Sequence, residues 1–381
     1  MSSAGTEVTA ASVALGVDAE NARSADINVK VVDKARDEKT FECTVSSPWL
    51  DDRREPQPED WVLPVRTGEL VRTYMESFAR PESDAPSRVL ALEGAGMDLW
   101  PLAPEGLKET IAGLVGADRA IETIQIVSDE PNIPWELMVP DDDDARPLGV
   151  RHTLARWFVG TEPLRATGTP AGDARVAAPL SDPPPARLAM AAKEATLVCD
   201  KLAGHKLETP SAIEVKRQLE AWRGTVLHFV CHGEGGPPQE LRLDGTERLS
   251  SLHVAAMRGL RTAWCASAPV VFLNACKAGL STPTLEGAGG LPRSWAKVGA
   301  GAVIAPLWSV RDEIAHEVAV EFYERIATEP QTPYAEIVRD IRARAYTEQE
   351  DSFAAYCYFG SPWAAAEPIV SGSGLSIPDP R

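Results

Sequence analysis

The sequence predicts an α/β protein built on a mostly parallel sheet flanked by helices, and three observations lead there. Short apolar runs of strand length, at 225–230, 269–273 and 301–308, are bounded by small or polar residues, as expected of strands buried on both faces. Between them, apolar residues recur at helical spacing, as in Ile314, Val318, Phe322 and Ile326. Upstream, a strand-like run from Val89 to Leu92, a helical stretch and the strand 120–127 give the order strand–helix–strand, the signature of a parallel layer. A chain of 381 residues with 44% hydrophobic content has enough material for two units and a sizeable core.

In chain order, residues 1–25 carry Ala, Ser, Thr and acids without a sustained period and read as a flexible tail. Residues 26–85 read as a small α+β region. Ile27, Val29 and Val31 alternate, Phe41, Cys43 and Val45 alternate again, and Leu70, Tyr74 and Phe78 then recur at helical spacing. Leu107, Ile111 and Leu114 mark one helix, Pro134 the first turn of another, and 151–158 a strand. Asp141–Asp144 reads as a solvated turn and not a metal site. The Pro-, Gly- and Ala-rich stretch 161–186 is the best linker candidate. Beyond it, Leu188–Leu202 reads as a helix, and Ser211 with Glu214 makes a capping box for a helix reaching Trp222. A short helix around Trp295, a helix from Asp312, a helix with Pro333 in its first turn, and the segment 355–363 complete the fold; 366–381 is a polar tail.

A net charge of −18 argues against a nucleic-acid backbone as partner, which asks for a basic face. Six scattered cysteines without CxxC spacing fit reduced thiols in a cytoplasmic protein better than a disulfide framework. Neither a signal peptide nor an apolar run long enough to span a membrane is read. No G-x-G-x-x-G or P-loop pattern follows a strand, which disfavours a nucleotide-binding module.

The chemistry-bearing residues lie at two strand ends, TVLHFVCHGEGG (225–236) and PVVFLNACKAGL (269–280). His232 ends the first and Cys276 the second, 44 residues apart. A thiol and an imidazole on neighbouring strand ends make a nucleophile–base pair. Gly233 and the following glycines let backbone N–H groups approach a ligand, so Gly233 N–H with Cys276 N–H is a candidate oxyanion hole. His228 and Cys231 are read as structural. A zinc site from His228, Cys231 and His232 would need ligands converging from opposite strand faces, so no metal and no cofactor are called for.

Taken together, the His-Gly and Asn-Ala-Cys strand ends, the Gly-rich loop 281–290, the segment GAGAVIAPLWSVRDE (299–313), the tail YFGSPW and PNIPWELM (131–138) resemble the CHAT domain, a caspase-like, separase-related cysteine peptidase family. The resemblance covers about residues 86–365. It implies a caspase-like sheet, Cys276 as nucleophile and His232 as acid/base. It also implies a pseudo-protease-like half at 86–160 and an active half at 187–365. In the separase-like W-x-V-x-D segment the acid recognises a basic P1 side chain, which falls here on Asp312 after Trp308 and Val310; N-capping of the following helix is an equal and compatible reading of Asp312. Trp308 and Asn274 join Asp312 as candidate substrate-binding residues. The expected function is an endopeptidase cleaving a partner protein after a basic residue, under a regulatory or sensor protein, in a bacterial defence or cell-death module such as antiviral defence. The alternative is a catalytically silent scaffold binding partner proteins through the same groove.

Overall fold

The computed structural model describes residues 24–50, 56–78, 84–130, 132–161, 173–179, 188–209, 211–234, 236–280, 282–284 and 287–366. The terminal tails and most of the linker read from sequence lie outside the described residues.

The N-terminal region supplies β1 (Ile27–Asp33), β2 (Thr40–Ser46) and β3 (Glu59–Val62), then helices α1 (Thr67–Phe78), α2 (Ala85–Leu99) and α3 (Glu105–Gly116). Two buried strands follow, β4 (Thr123–Ser128) and β5 (Thr153–Phe158), the short helix α4 (Leu148–Arg151) lying between them. Beyond come β6 (Arg175–Ala177), α5 (Ala191–Lys201), β7 (His205–Lys206), α6 (Ala212–Ala221) and β8 (Val226–Val230). A small three-stranded sheet is made by β9 (Gly233–Glu234), β10 (Glu240–Arg242) and β11 (Arg248–Ser250). Helices α7 (Ser251–Ala255) and α8 (Gly259–Trp264) lead to β12 (Val270–Asn274) and the hairpin β13 (Thr282–Thr284) with β14 (Gly287–Gly289). The chain closes with α9 (Leu291–Lys297), β15 (Ala302–Pro306), α10 (Asp312–Thr328), α11 (Tyr334–Thr347) and β16 (Tyr356–Gly360).

One 11-stranded sheet, in the order β3-β2-β1-β4-β5-β16-β15-β12-β8-β6-β7, runs through the molecule. The β1–β4–β5 and β15–β12–β8–β6–β7 ladders are parallel, whereas β16 runs antiparallel to β15. Every residue of β4, β5, β8, β12, β15 and β16 is buried, because helices cover both faces. The predicted N-terminal hairpin is present, Val31 opposite Cys43, and β1 carries it into the main sheet.

Two local expectations are corrected. Val89–Leu92 is not a strand but part of α2. Val89, Leu92, Ala95, Gly96 and Leu99 are its buried face at helical spacing, and the Asp84 carboxylate caps it by accepting Ser87 N–H at 2.8 Å. A short V-L-A-L run satisfies either period; the cap and Pro86 in the first turn decide for the helix. Gly96 lets α2 approach the 135–137 turn so closely that a Cβ would stand 2.1 Å from the Leu137 carbonyl. Within the stretch 161–186, residues 175–177 form β6, paired with β8.

A buried ion cluster fixes the PNIPWELM segment. Glu136 accepts from Arg156 of β5, and Arg342 of α11 lies 3.6 Å from the same carboxylate. Burial by itself raises the Glu136 pKa, but the two guanidinium groups outweigh it and hold it below the usual range. Arg342 also donates twice to the Tyr356 carbonyl, at 3.0 and 2.6 Å, tying this cluster to the start of β16.

Candidate active site

The site is built by the ends of three parallel strands. β8 and β12 lie side by side with Val226 opposite Val270 and Val230 opposite Asn274. His232 and Cys276 stand two residues beyond that last matched pair, so the chain carries them off the sheet at the same level. The β-branched and aromatic residues of both strands are sealed in the core, which holds these exits rigid.

Gly233 has a steric reason to be glycine. A Cβ there would lie 2.2 Å from the Cys276 carbonyl oxygen and 3.2 Å from its nitrogen, so the backbones after β8 and β12 are in close approach. The small β9–β10–β11 sheet anchors the His232 exit, Arg242 N–H donating to the His232 carbonyl at 2.9 Å. After Cys276 the chain turns through Lys277, whose φ of 58° lies in the left-handed region. The turn leans on β15: Lys277 N–H points to the Trp308 carbonyl at 3.5 Å, and Gly279 N–H donates to that of Pro306 at 2.8 Å.

His232 and Cys276 both line a cavity of about 30 Å³ whose walls include Asn274, Asp312, Tyr356, Leu188 and Val310. Cys276 is half-buried, as is His232. Trp308 is buried and meets the turn through its carbonyl, outside the residues that line the cavity.

Asp312 is the first residue of α10 and does not cap it. Its carboxylate instead accepts the N–H of Met190, the residue preceding α5, at 2.8 Å. The acid is therefore held on the cavity wall by the N-terminus of another helix, a favourable place for a negative charge.

Beneath the cavity lies a buried polar network. Asn274 donates to Glu194 at 2.7 Å and to the Ala315 carbonyl at 2.9 Å, and accepts from the Tyr356 hydroxyl at 2.6 Å. Glu194 also meets His228 Nε2 at 2.8 Å, and His228 Nδ1 meets the Tyr323 hydroxyl at 2.9 Å. A proton on Nε2 with Nδ1 accepting satisfies both contacts. His316 Nδ1 stands 3.4 Å from the other Glu194 oxygen. Burial by itself raises the Glu194 pKa, but the hydrogen bonds from His228 and Asn274, with the His316 ring beside them, prevail and lower it. Burial, reinforced by the Glu194 charge, pushes Tyr323 and Tyr356 well above the usual phenol value and keeps them neutral donors. His228, fully buried, sits on the core side of the site, whereas Cys231, also buried, lines the cavity beside His232. Among the described residues no cluster of three or more His, Cys, Asp or Glu is placed to hold a metal ion, and no helix is long and apolar enough to cross a membrane.

Glu194, Tyr356 and Met190 do not stand out as site residues in the sequence. Glu194 does leave a signal there: it shares the buried face Ala191, Glu194, Ala195, Val198, where a carboxylate needs partners.

The CHAT domain family model matches residues 100–373, and the chain belongs to that family. Among solved structures it is similar to separase of Saccharomyces cerevisiae in complex with securin, at 10% identity and a TM-score of 0.50, over 88% of this chain and 30% of that one. It is also similar to the Arg-specific cysteine proteinase gingipain R of Porphyromonas gingivalis, at 14% identity and a TM-score of 0.44, over 76% of this chain and 70% of that one. The fold is thus caspase-like. No curated protein matches the sequence significantly.

Proposed function

We propose that this chain is a cysteine endopeptidase with Cys276 as nucleophile and His232 as general base. The observation that carries the reading is the matched exit of the two residues from β8 and β12 into one cavity. His232 takes the thiol proton and the thiolate sulfur attacks the scissile carbonyl carbon. The tetrahedral oxyanion receives the N–H groups of Gly233 and Cys276, and the imidazolium returns the proton to the leaving amine. Water then hydrolyses the thioester. The chemistry uses no cofactor. All of these residues fall in 187–365, the proposed active half, with 86–160 as the non-catalytic one.

The proposed substrate is a protein cleaved after Lys or Arg, with Asp312 as the acid meeting the basic side chain, Asn274 beside it on the cavity lining, and Trp308 acting from behind through the Cys276 turn. Control by a regulatory or sensor protein rests on the family resemblance. A role in bacterial defence or cell death rests on the family resemblance.

A positional-scanning peptide library tests the reading. The protein is expected to cleave after Lys and Arg, Cys276→Ala to abolish cleavage, and Asp312→Asn to erase the basic preference. Cleavage that survives Cys276→Ala would refute the mechanism; a P1 profile without Lys or Arg would refute the specificity.

A further inference from the structure

The turn that carries Cys276 is held from two sides, and the hold opposite β15 comes from Gln239. Its side chain is fully buried, so the amide must find its partners inside the protein. Nε2 donates to the Lys277 carbonyl at 2.9 Å, and Oε1 accepts the N–H of Leu291 at 2.8 Å. The Gln239 backbone carbonyl accepts Ser251 N–H at 2.9 Å, which fixes the stem from which the amide reaches out. One side chain thereby bridges the residue after Cys276 and the first residue of α9, where the chain leaves the Gly-rich loop. Lys277 needs such a hold. A residue with a Cβ at φ 58° is in a disfavoured conformation and persists only where its surroundings determine it.

We infer that Gln239 is a positioning residue for Cys276. Fixing the Lys277 peptide in its left-handed turn sets the direction in which the thiol leaves the end of β12, toward His232. The inference rests on the reading of Cys276 as nucleophile. Losing the amide bond frees the turn, moves the thiol relative to the imidazole and lowers the fraction present as thiolate, the reactive form.

Iodoacetamide footprinting of all six cysteines by peptide mass spectrometry tests this on the full chain. The wild type is compared with Gln239→Met, which keeps the shape without either bond, and Gln239→Glu, which keeps an acceptor for Leu291 N–H. In the wild type Cys276 is expected to react faster than the exposed Cys265. Gln239→Met should slow Cys276 by about tenfold or more, with Cys265 unchanged and the buried Cys43, Cys231 and Cys357 unmodified. Gln239→Glu should show a similar deficit near pH 8.5 that closes toward pH 6, roughly, as its carboxyl gains the proton that remakes the bond to Lys277. A purely structural role would expose the three buried cysteines in both variants, and that result overturns the inference. So does a wild-type Cys276 rate near pH 8.5 in either folded variant, roughly the pH at which both lack the bond to Lys277. Wild-type Cys276 reacting no faster than Cys265 would sink the nucleophile reading, and the positioning role with it.

Discussion

Gly233 shows how a single position decides the geometry of the site. A Cβ at this position would stand only 2.2 Å from the Cys276 carbonyl oxygen, so Gly233→Ala must push the two strand exits apart. A displacement of about 1 Å at a reacting pair costs on the order of 10²-fold in rate. Peptide cleavage by Gly233→Ala should fall by about that factor; wild-type turnover would show that the close approach is not needed. His232, Gly233 and Cys276 were legible in the sequence because strand-end chemistry and glycine are local signals. Gln239 and Glu194 were not, since a buried amide or carboxylate gains meaning only from partners tens of residues away, such as Lys277 for the first and His228 for the second.

At the scale of elements, Glu194 ties α5 to β8 and β12, and Asn274 extends the tie to α10 and β16. Removing the shared acceptor from a buried hydrogen-bonded network leaves its donors unsatisfied, at about 1–3 kcal/mol each. Glu194→Ala should therefore lower the urea midpoint by the equivalent of about 2–4 kcal/mol, and a change below about 1 kcal/mol would mean the network adds little. Most elements were legible for a simple reason: β8, β12 and β15 are continuous apolar runs, and α10 and α11 carry clear helical faces. The two that misled were short. Val89–Leu92 fits a strand until its neighbours Ala95 and Leu99 are counted, and β6 is three residues inside a Pro-rich stretch whose pairing with β8 is wholly tertiary.

Over the whole molecule, stability depends on pH through groups that pull in opposite directions. Burial raises Glu130 to about 7 against hydrogen bonds from Asn132 and Ile133 N–H. Its contribution is fully present below the unfolded value near 4.5 and is lost as pH rises through about 7. Burial lowers His152 to about 4, so its contribution is present above the unfolded value of 6.5 and is lost as pH falls toward 4. The two offset one another in mildly acid solution. Glu130→Gln removes one arm. Relative to the wild type it should gain stability near pH 7 and lose most of that gain by pH 5, a swing on the order of 2 kcal/mol. Urea midpoints at the two pH values measure it, and a pH-independent difference would refute the assignment.

The central claim is that His232 makes Cys276 the reactive thiol of the molecule. A peptidyl acyloxymethyl ketone with Arg at P1, added to the full chain and mapped by mass spectrometry, tests it most directly. Covalent label is expected on Cys276, none on the other five cysteines, with labelling lost in His232→Ala. Label on the exposed Cys265 with Cys276 unmodified, or equal labelling of Cys276 in His232→Ala, would contradict it.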